Sequence, residues 1–94
     1  MTDFAARVHA FVQMVPKGRV TTYSDVALAV GRPGAARAVG RVMAATPARS
    51  PTPCHRVVRA DGRAADGLAG RLRREGVAVD AAGQVRGFAA LRWP

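Results

Sequence analysis

Apolar residues recur at helical spacing early in the chain. Phe4, Val8, Phe11 and Val12 share one face of a segment that opens on Thr2 and Asp3, two residues able to cap it. This predicts a first helix ending near Val15, where Pro16-Lys17-Gly18 signals a turn. Arg19-Val20-Thr21 reads as a short extended link. Thr22 followed by Asp25 has the form of a capping box and predicts a second helix through Val26, Leu28 and Ala29. Gly31-Arg32-Pro33-Gly34 breaks it, and a third helix is predicted from near Ala35 through Met43. Two short helices joined by a glycine-containing turn form a helix-turn-helix pattern.

The pattern changes after Thr46. Pro47, Pro51 and Pro53 exclude helix and predict an extended, irregular connection. Val57-Val58 reads as a short buried strand, and Asp61-Gly62 as a turn. Leu68 and Leu72, at i and i+4, predict a fourth helix that exposes Arg71, Arg73 and Arg74 and stops at Gly76. Val77-Ala78-Val79 and Gln84-Val85-Arg86, around Ala82-Gly83, predict a small β-hairpin. Phe88, Leu91 and Trp93 are expected to fold back as an apolar clamp. The expected fold class is mostly α with a small β-hairpin. It is a helix-turn-helix, winged-helix-like domain occupying residues 1–94, without internal repeats.

Side-chain size adds a question at the third helix. Ala35, Ala36, Ala38 and Gly40 are all small, and Arg37 is the one long side chain among them. Such a face either packs tightly on a neighbouring helix or lies close to DNA, and spacing alone does not choose. Charge bears on the choice. Fifteen basic residues face six acids, for a net charge of +9, and Lys17 is the only lysine. Arginine binds phosphate through a planar fork, so a polyanionic partner, nucleic acid, is expected. No helix combines a broad apolar face with a basic one, which argues against a membrane surface.

The single cysteine fits a reducing compartment, and no stretch resembles a signal peptide or a membrane span, so a cytoplasmic location is expected. His9 reads as a solvated or packed histidine. Neither it nor the Cys54-His55 pair has partners at metal-ligand spacing, so neither metal nor cofactor is expected. No glycine-rich loop ends in Gly-Lys-Ser/Thr, which excludes phosphate-loop chemistry.

Chemistry concentrates at Pro53-Cys54-His55-Arg56-Val57. A cysteine reacts as its thiolate, which needs a base or a positive neighbour. In an extended segment Cys54 and His55 would point to opposite sides, so a water would have to bridge them. Glu75, the only glutamate, could hold the histidine tautomer. Residue types alone favour Cys54 as a small buried hydrophobe over a nucleophile.

Pro53-Cys54-His55-Arg56-Val57-Val58 resembles the active-site motif of the O6-alkylguanine-DNA alkyltransferases. Ala36-Arg37-Ala38-Val39-Gly40 resembles the recognition-helix motif of that family, and the seventeen positions from Arg37 to Cys54 match its spacing. Gly18-Arg19-Val20-Thr21-Thr22-Tyr23 resembles the segment leading to its DNA-contacting tyrosine. Leu72 to Gly76 resembles the segment that carries its glutamate. The resemblance implies that Cys54 accepts the alkyl group in a single turnover, that His55 draws its proton through a water, and that Glu75 orients His55. It implies minor-groove binding of double-stranded DNA containing O6-alkylguanine, by a monomer, with Tyr23, Ser24, Arg32, Ala36, Arg37 and Arg41 at the interface. Arg37 would fill the gap left by the flipped base, and Tyr23 would press on the target phosphate.

Four departures accompany the resemblance. The enzymes usually carry a separate N-terminal domain, and this chain is expected to be a single domain without it. Thr46 stands at the active-site asparagine. The loop from Cys54 to Glu75 is short, with Ala64 and Ala65 where the enzymes have a pocket tyrosine and serine. The tail, from Glu75-Gly76-Val77 through Gly83-Gln84-Val85 to Trp93-Pro94, resembles the alkyltransferase-like proteins, which bind alkylated guanine and hand it to nucleotide excision repair proteins. Those usually lack the cysteine that this chain retains. The resemblance therefore implies a damage-recognition protein, with methyl transfer to Cys54 as the alternative.

Overall fold

The computed structural model describes residues 3–94, so Thr2 of the predicted first cap lies outside them. Helix α1 (Asp3–Val12) has an acid in its first turn, where it faces the positive end of the helix dipole, and buries Val8 and Val12. It stops three residues before Val15. The amides of Met14 and Val15 reach back only to Phe11 and Val12, tightening the chain ahead of Pro16, which disfavours helix in the residue before it.

Thr22 caps α2 (Tyr23–Ala29) as its pattern predicts. Its backbone is extended, and its Oγ1 accepts the Asp25 amide at 3.0 Å. The Asp25 carboxylate turns instead to Arg92, which holds it through two bonds of 2.7 and 2.8 Å. Helix α3 (Ala36–Ala44) follows, burying Val39 and Met43.

The one regular sheet among the described residues is parallel. Strand β1 (Thr21–Thr22) pairs with β2 (Val57–Val58), Thr21 opposite Val57 and Thr22 opposite Val58. This pair divides the core, because successive strand residues point to opposite faces. Val57 joins Val8, Val12, Val26, Ala27, Val30, Val39 and Met43 in a core among α1, α2 and α3. Val58 joins Val20, Ala64, Leu72, Val77 and Val85 in a second core beneath α4 (Ala69–Arg74).

The predicted hairpin contributes a single antiparallel bridge, Val79 with Val85, rather than a ladder. Two backbone bonds cross it, from the Asp80 amide to the Gln84 carbonyl at 3.0 Å and from the Arg86 amide to the Ala78 carbonyl at 2.8 Å, while other groups go elsewhere. The Asp80 carboxylate takes the Ala82 and Gln84 amides, and the Val85 amide donates to Gly62. Helix α5 (Phe88–Leu91) then sets Phe88 and Leu91 on the second core. Trp93 donates its amide to Val20 at 2.7 Å and packs its ring 5.5 Å from that of Phe11. The terminal clamp thus ties both cores together. No helix among the described residues is long and apolar enough to cross a membrane.

Gly62 is where this half of the fold tolerates least. Its φ is +86°, and an added Cβ would lie 2.7 Å from the Phe88 ring and 2.7 Å from Gln84 Nε2. Gly62→Ala should cost about 2 kcal/mol in chemical denaturation, from left-handed strain plus overlap. An unchanged denaturation midpoint would remove Gly62 as the pivot of this turn.

Candidate nucleic-acid interface and base pocket

The approach to Cys54 is turned, not extended. Ser50 donates its amide to Pro47, and the Cys54 amide donates to Thr52 at 2.9 Å across Pro53, whose φ of −79° and ψ of 73° form an inverse γ-turn. Cys54–Arg56 is then one turn of 3-10 helix leading into β2. Proline excludes the α-helix, but its φ suits tight turns as well as extended chain. A turn at this point sends Cys54 to the first core and His55 with Arg56 to the other side.

Glu75, at the C-cap of α4, gathers that side. Its Oε2 accepts His55 Nε2–H at 2.8 Å and Arg56 Nη2 at 2.6 Å, while its Oε1 accepts Arg56 Nε at 3.0 Å and the Gly18 amide at 3.4 Å. Arg56 also donates to the Val15 carbonyl at 2.9 Å. Burial alone would raise the Glu75 carboxyl, but Arg56, His55 and Gly18 hold it down at about 2. With the carboxylate ionised, His55 carries its proton on Nε2 and leaves Nδ1 as an acceptor. That Nδ1 is buried without a partner among the described residues.

Cys54 is half-buried against the first core. Burial pushes its thiol above the ordinary value of 9.0, and the Thr46 hydroxyl and the Arg71 charge pull it back only in part. The help Thr46 gives a thiolate is limited by its other bond. Its hydroxyl proton is given to the Val42 carbonyl at 2.7 Å, so its oxygen is left to accept. His9 Nε2 donates to that oxygen at 3.4 Å, and His9 Nδ1 accepts from Thr52 Oγ1 at 2.7 Å. Gln13 donates to the same Thr52 oxygen at 3.0 Å. His9 in the last turn of α1 and Gln13 just past its end thus anchor the loop that presents the cysteine. The neutral thiol is the form this environment favours.

A cavity of about 230 Å³ opens beside Cys54, lined by Tyr23, Gly40, Met43, Ala44, Ala65, Asp66 and Leu68. Gly40 has nothing within 4 Å of where a Cβ would sit. The small face of α3 therefore borders open space at this point rather than a packed neighbour. Arg37 is exposed one turn before Gly40 on the same stripe and makes no ion pair among the described residues. Tyr23 opens α2 at the cavity wall, and burial raises its hydroxyl above the usual value.

The remaining candidates spread outward. Ser24 is exposed in the first turn of α2, and Ala36 is half-buried at the start of α3. Arg32 places its guanidinium 5.4 Å from the Phe4 ring, held against α1. Arg41 lines a separate hollow with His9, Val42 and Ser50 and does not reach the Cys54 cavity. Of the two alanines expected in the pocket wall, only Ala65 lies there. Ala64 is buried in the second core, because the amide of Ala64 bonds Gly83 and draws the residue under the Val79–Val85 segment.

Residues 3–84 match the family described as 6-O-methylguanine DNA methyltransferase, DNA binding domain. The chain belongs to this family. It is 32% identical to a DNA base-flipping protein of Vibrio parahaemolyticus, over 90% of this chain and 91% of that protein. It is 42% identical to one of Escherichia coli, over 88% of this chain and 69% of that protein. It also shares 39% identity with a methylated-DNA--protein-cysteine methyltransferase of Mycobacterium tuberculosis, but spans only 44% of that length. In structure it is similar to S. pombe Atl1 in complex with damaged DNA containing O6-carboxymethylguanine, with a TM-score of 0.88, 28% identity, and coverage of 100% of this chain and 97% of that one.

Arg56, His9, Thr52 and Arg92 were not singled out for these contacts by sequence reasoning. Arg56 follows His55 directly, and its pairing with the only glutamate had a sequence signal. The threonine–histidine ties join positions about forty residues apart and had none.

Glu75 also generates a pH test. Its folded pKa lies below its ordinary value of 4.5, so its contribution is complete above 4.5 and lost as pH falls through the range toward about 2. The shift corresponds to about 3 kcal/mol. Urea denaturation from pH 7 to 2.5 should show this loss, and Glu75→Gln should be less stable at pH 7 with a flatter acid limb. An unaltered limb would mean that the carboxylate contributes nothing to folding.

Proposed function

We propose that the protein recognises DNA damage. It binds duplex DNA in the minor groove, turns an O6-alkylguanine out of the stack into the cavity beside Cys54, and marks the site for nucleotide excision repair proteins. The observation that carries this reading is the cavity's position. It lies between the open, small-residue face of α3 and the cysteine, with Tyr23 in its wall and exposed Arg37, in no ion pair among the described residues, one turn before Gly40 on α3. Small residues let the α3 backbone approach a groove closely. Arg37 can enter the duplex behind the departing base, and Tyr23 can meet the target phosphate. Unstacking costs a few kcal/mol, which phosphate contacts from so basic a surface offset.

In this reading Cys54 is the wall of the pocket. Burial keeps it as a thiol, because the Thr46 hydroxyl and the Arg71 charge offset that burial only in part. The relatives named as base-flipping proteins, and the damaged-DNA complex of S. pombe Atl1, support recognition without requiring chemistry at Cys54. DNA binding also supports a cytoplasmic, nucleoid-associated location. The protein would act as a monomer without a cofactor.

One observation favours the second reading, single-turnover alkyl transfer to Cys54. His55 has its Nε2 held by Glu75 and its buried Nδ1 unpartnered, the arrangement of a base that works through a water. In that reaction the Cys54 Sγ–carbon bond forms as the O6–carbon bond breaks, and the departing guanine gains the proton the thiol gives up.

Incubation with a duplex carrying one O6-methylguanine, followed by intact-mass measurement, separates the two. The recognition reading expects tight binding and no mass gain. A gain of one methyl group, absent in Cys54→Ala, would establish transfer instead. Arg37→Ala should weaken binding to the lesion duplex by roughly tenfold or more, whereas Arg86→Ala, at an exposed position just past the Val79–Val85 bridge, should have little effect. Equal losses measured by fluorescence anisotropy would remove Arg37 from the flipping role.

A further inference from the structure

Cys54 does not close its cavity. A second cavity of about 220 Å³ adjoins the first, and the two share Met43, Ala44, Cys54, Asp66 and Leu68 in their walls. The inner one borders Tyr23 and Gly40, the side from which a base would enter. The outer one extends past the cysteine to Thr46, Pro47, Ala48, Thr52 and Arg71. A guanine seated in the inner cavity with its O6 toward Cys54 would direct any long O6 substituent past the sulfur and into the outer one.

The polar groups of the outer cavity are unequal. Thr46 gives its proton to Val42, and Thr52 gives its proton to His9. Both hydroxyls are therefore committed as donors. Asp66 is the one acid in the shared wall, and its carboxylate is fully exposed and drawn to Arg59 at 3.5 Å. Arg71 is half-buried on α4, close enough to Cys54 for its charge to act on the thiol, and it makes no ion pair among the described residues. An unspent guanidinium in a concave wall is suited to a planar anion, which it can bind through two parallel bonds.

We infer that the outer cavity is the seat of the distal part of the O6 substituent, and that Arg71 selects substituents ending in a carboxylate. This rests on the base-flipping reading above and adds a specificity to it. The selection is directional. A methyl group is too short to reach Arg71, a neutral amide gains less from it, and an ammonium is repelled by it.

The test uses the full chain and five otherwise identical duplexes. Their central base is guanine, O6-methylguanine, O6-carboxymethylguanine, its neutral amide O6-carbamoylmethylguanine, or O6-(2-aminoethyl)guanine. Fluorescence anisotropy at fixed salt gives each Kd. The carboxymethyl duplex should bind roughly tenfold more tightly than its amide counterpart, and Arg71→Gln should abolish that ratio while leaving O6-methylguanine affinity nearly unchanged. Ala48→Trp, which fills the outer cavity from its rim, should weaken carboxymethyl and carbamoylmethyl binding but spare methyl. Equal binding of acid and amide by the wild type overturns the inference. A uniform loss over all five duplexes in Arg71→Gln does so too, because it would make Arg71 a phosphate contact. Tighter binding of the aminoethyl duplex would assign the cavity to Asp66 instead. Failure to distinguish O6-methylguanine from guanine would instead defeat the base-flipping reading itself.

Discussion

One carboxylate holds three parts of this chain in register. Glu75 ends α4, and its two oxygens receive His55, Arg56 and the Gly18 amide. Arg56 carries the link on to the Val15 carbonyl at the end of the α1 segment. The group is largely buried, with the Glu75 side chain 12% exposed, so partners rather than water must satisfy it. Removing one partner would leave the others charged in a poorly solvated place, which is why such a cluster behaves as a unit. Gly18 fits this arrangement because its φ of +84° turns its amide toward the carboxylate without a side chain in the way.

The consequence for the site is positional. His55 and Arg56 are pulled to one side of the 3-10 turn, and Cys54 is left on the other, against the first core. The parallel pair β1–β2 lies immediately beyond the turn and divides the two cores, Val57 facing one and Val58 the other. The same pair sets Tyr23 at the cavity wall, since β1 runs straight into α2. Cys54 and Tyr23 are therefore both placed by one sheet of two two-residue strands.

The polar tie from His9 to Thr46 and Thr52 acts from behind the cysteine. It anchors the proline loop to α1 and engages the threonine proton in the helix end at Val42. A cysteine so placed has a fixed direction but little help toward ionising. On the opposite face, His55 is oriented as a base would be. The two sides of the residue thus pull toward different chemistries, and burial tips the balance toward the thiol.

The sequence by itself determined α1 to α4 in outline, the Thr22 cap, the short strand at Val57-Val58 and the terminal clamp, and it singled out Tyr23 and Cys54, which share a cavity, and His55 and Glu75, which share a hydrogen bond. These rest on local periodicity, on turn chemistry and on motifs whose spacing is preserved. Only the tertiary structure decided that the proline stretch turns rather than extends, because proline's φ allows both and hydrogen bonds to Pro47 and Thr52 choose. It also moved Ala64 into the second core, kept Arg41 away from the cavity, and left the hairpin with one bridge. Each of these depends on groups far apart in the chain competing for one donor, acceptor or space. Local pattern carries no record of that competition, and the second cavity beyond Cys54 is the space its outcome leaves.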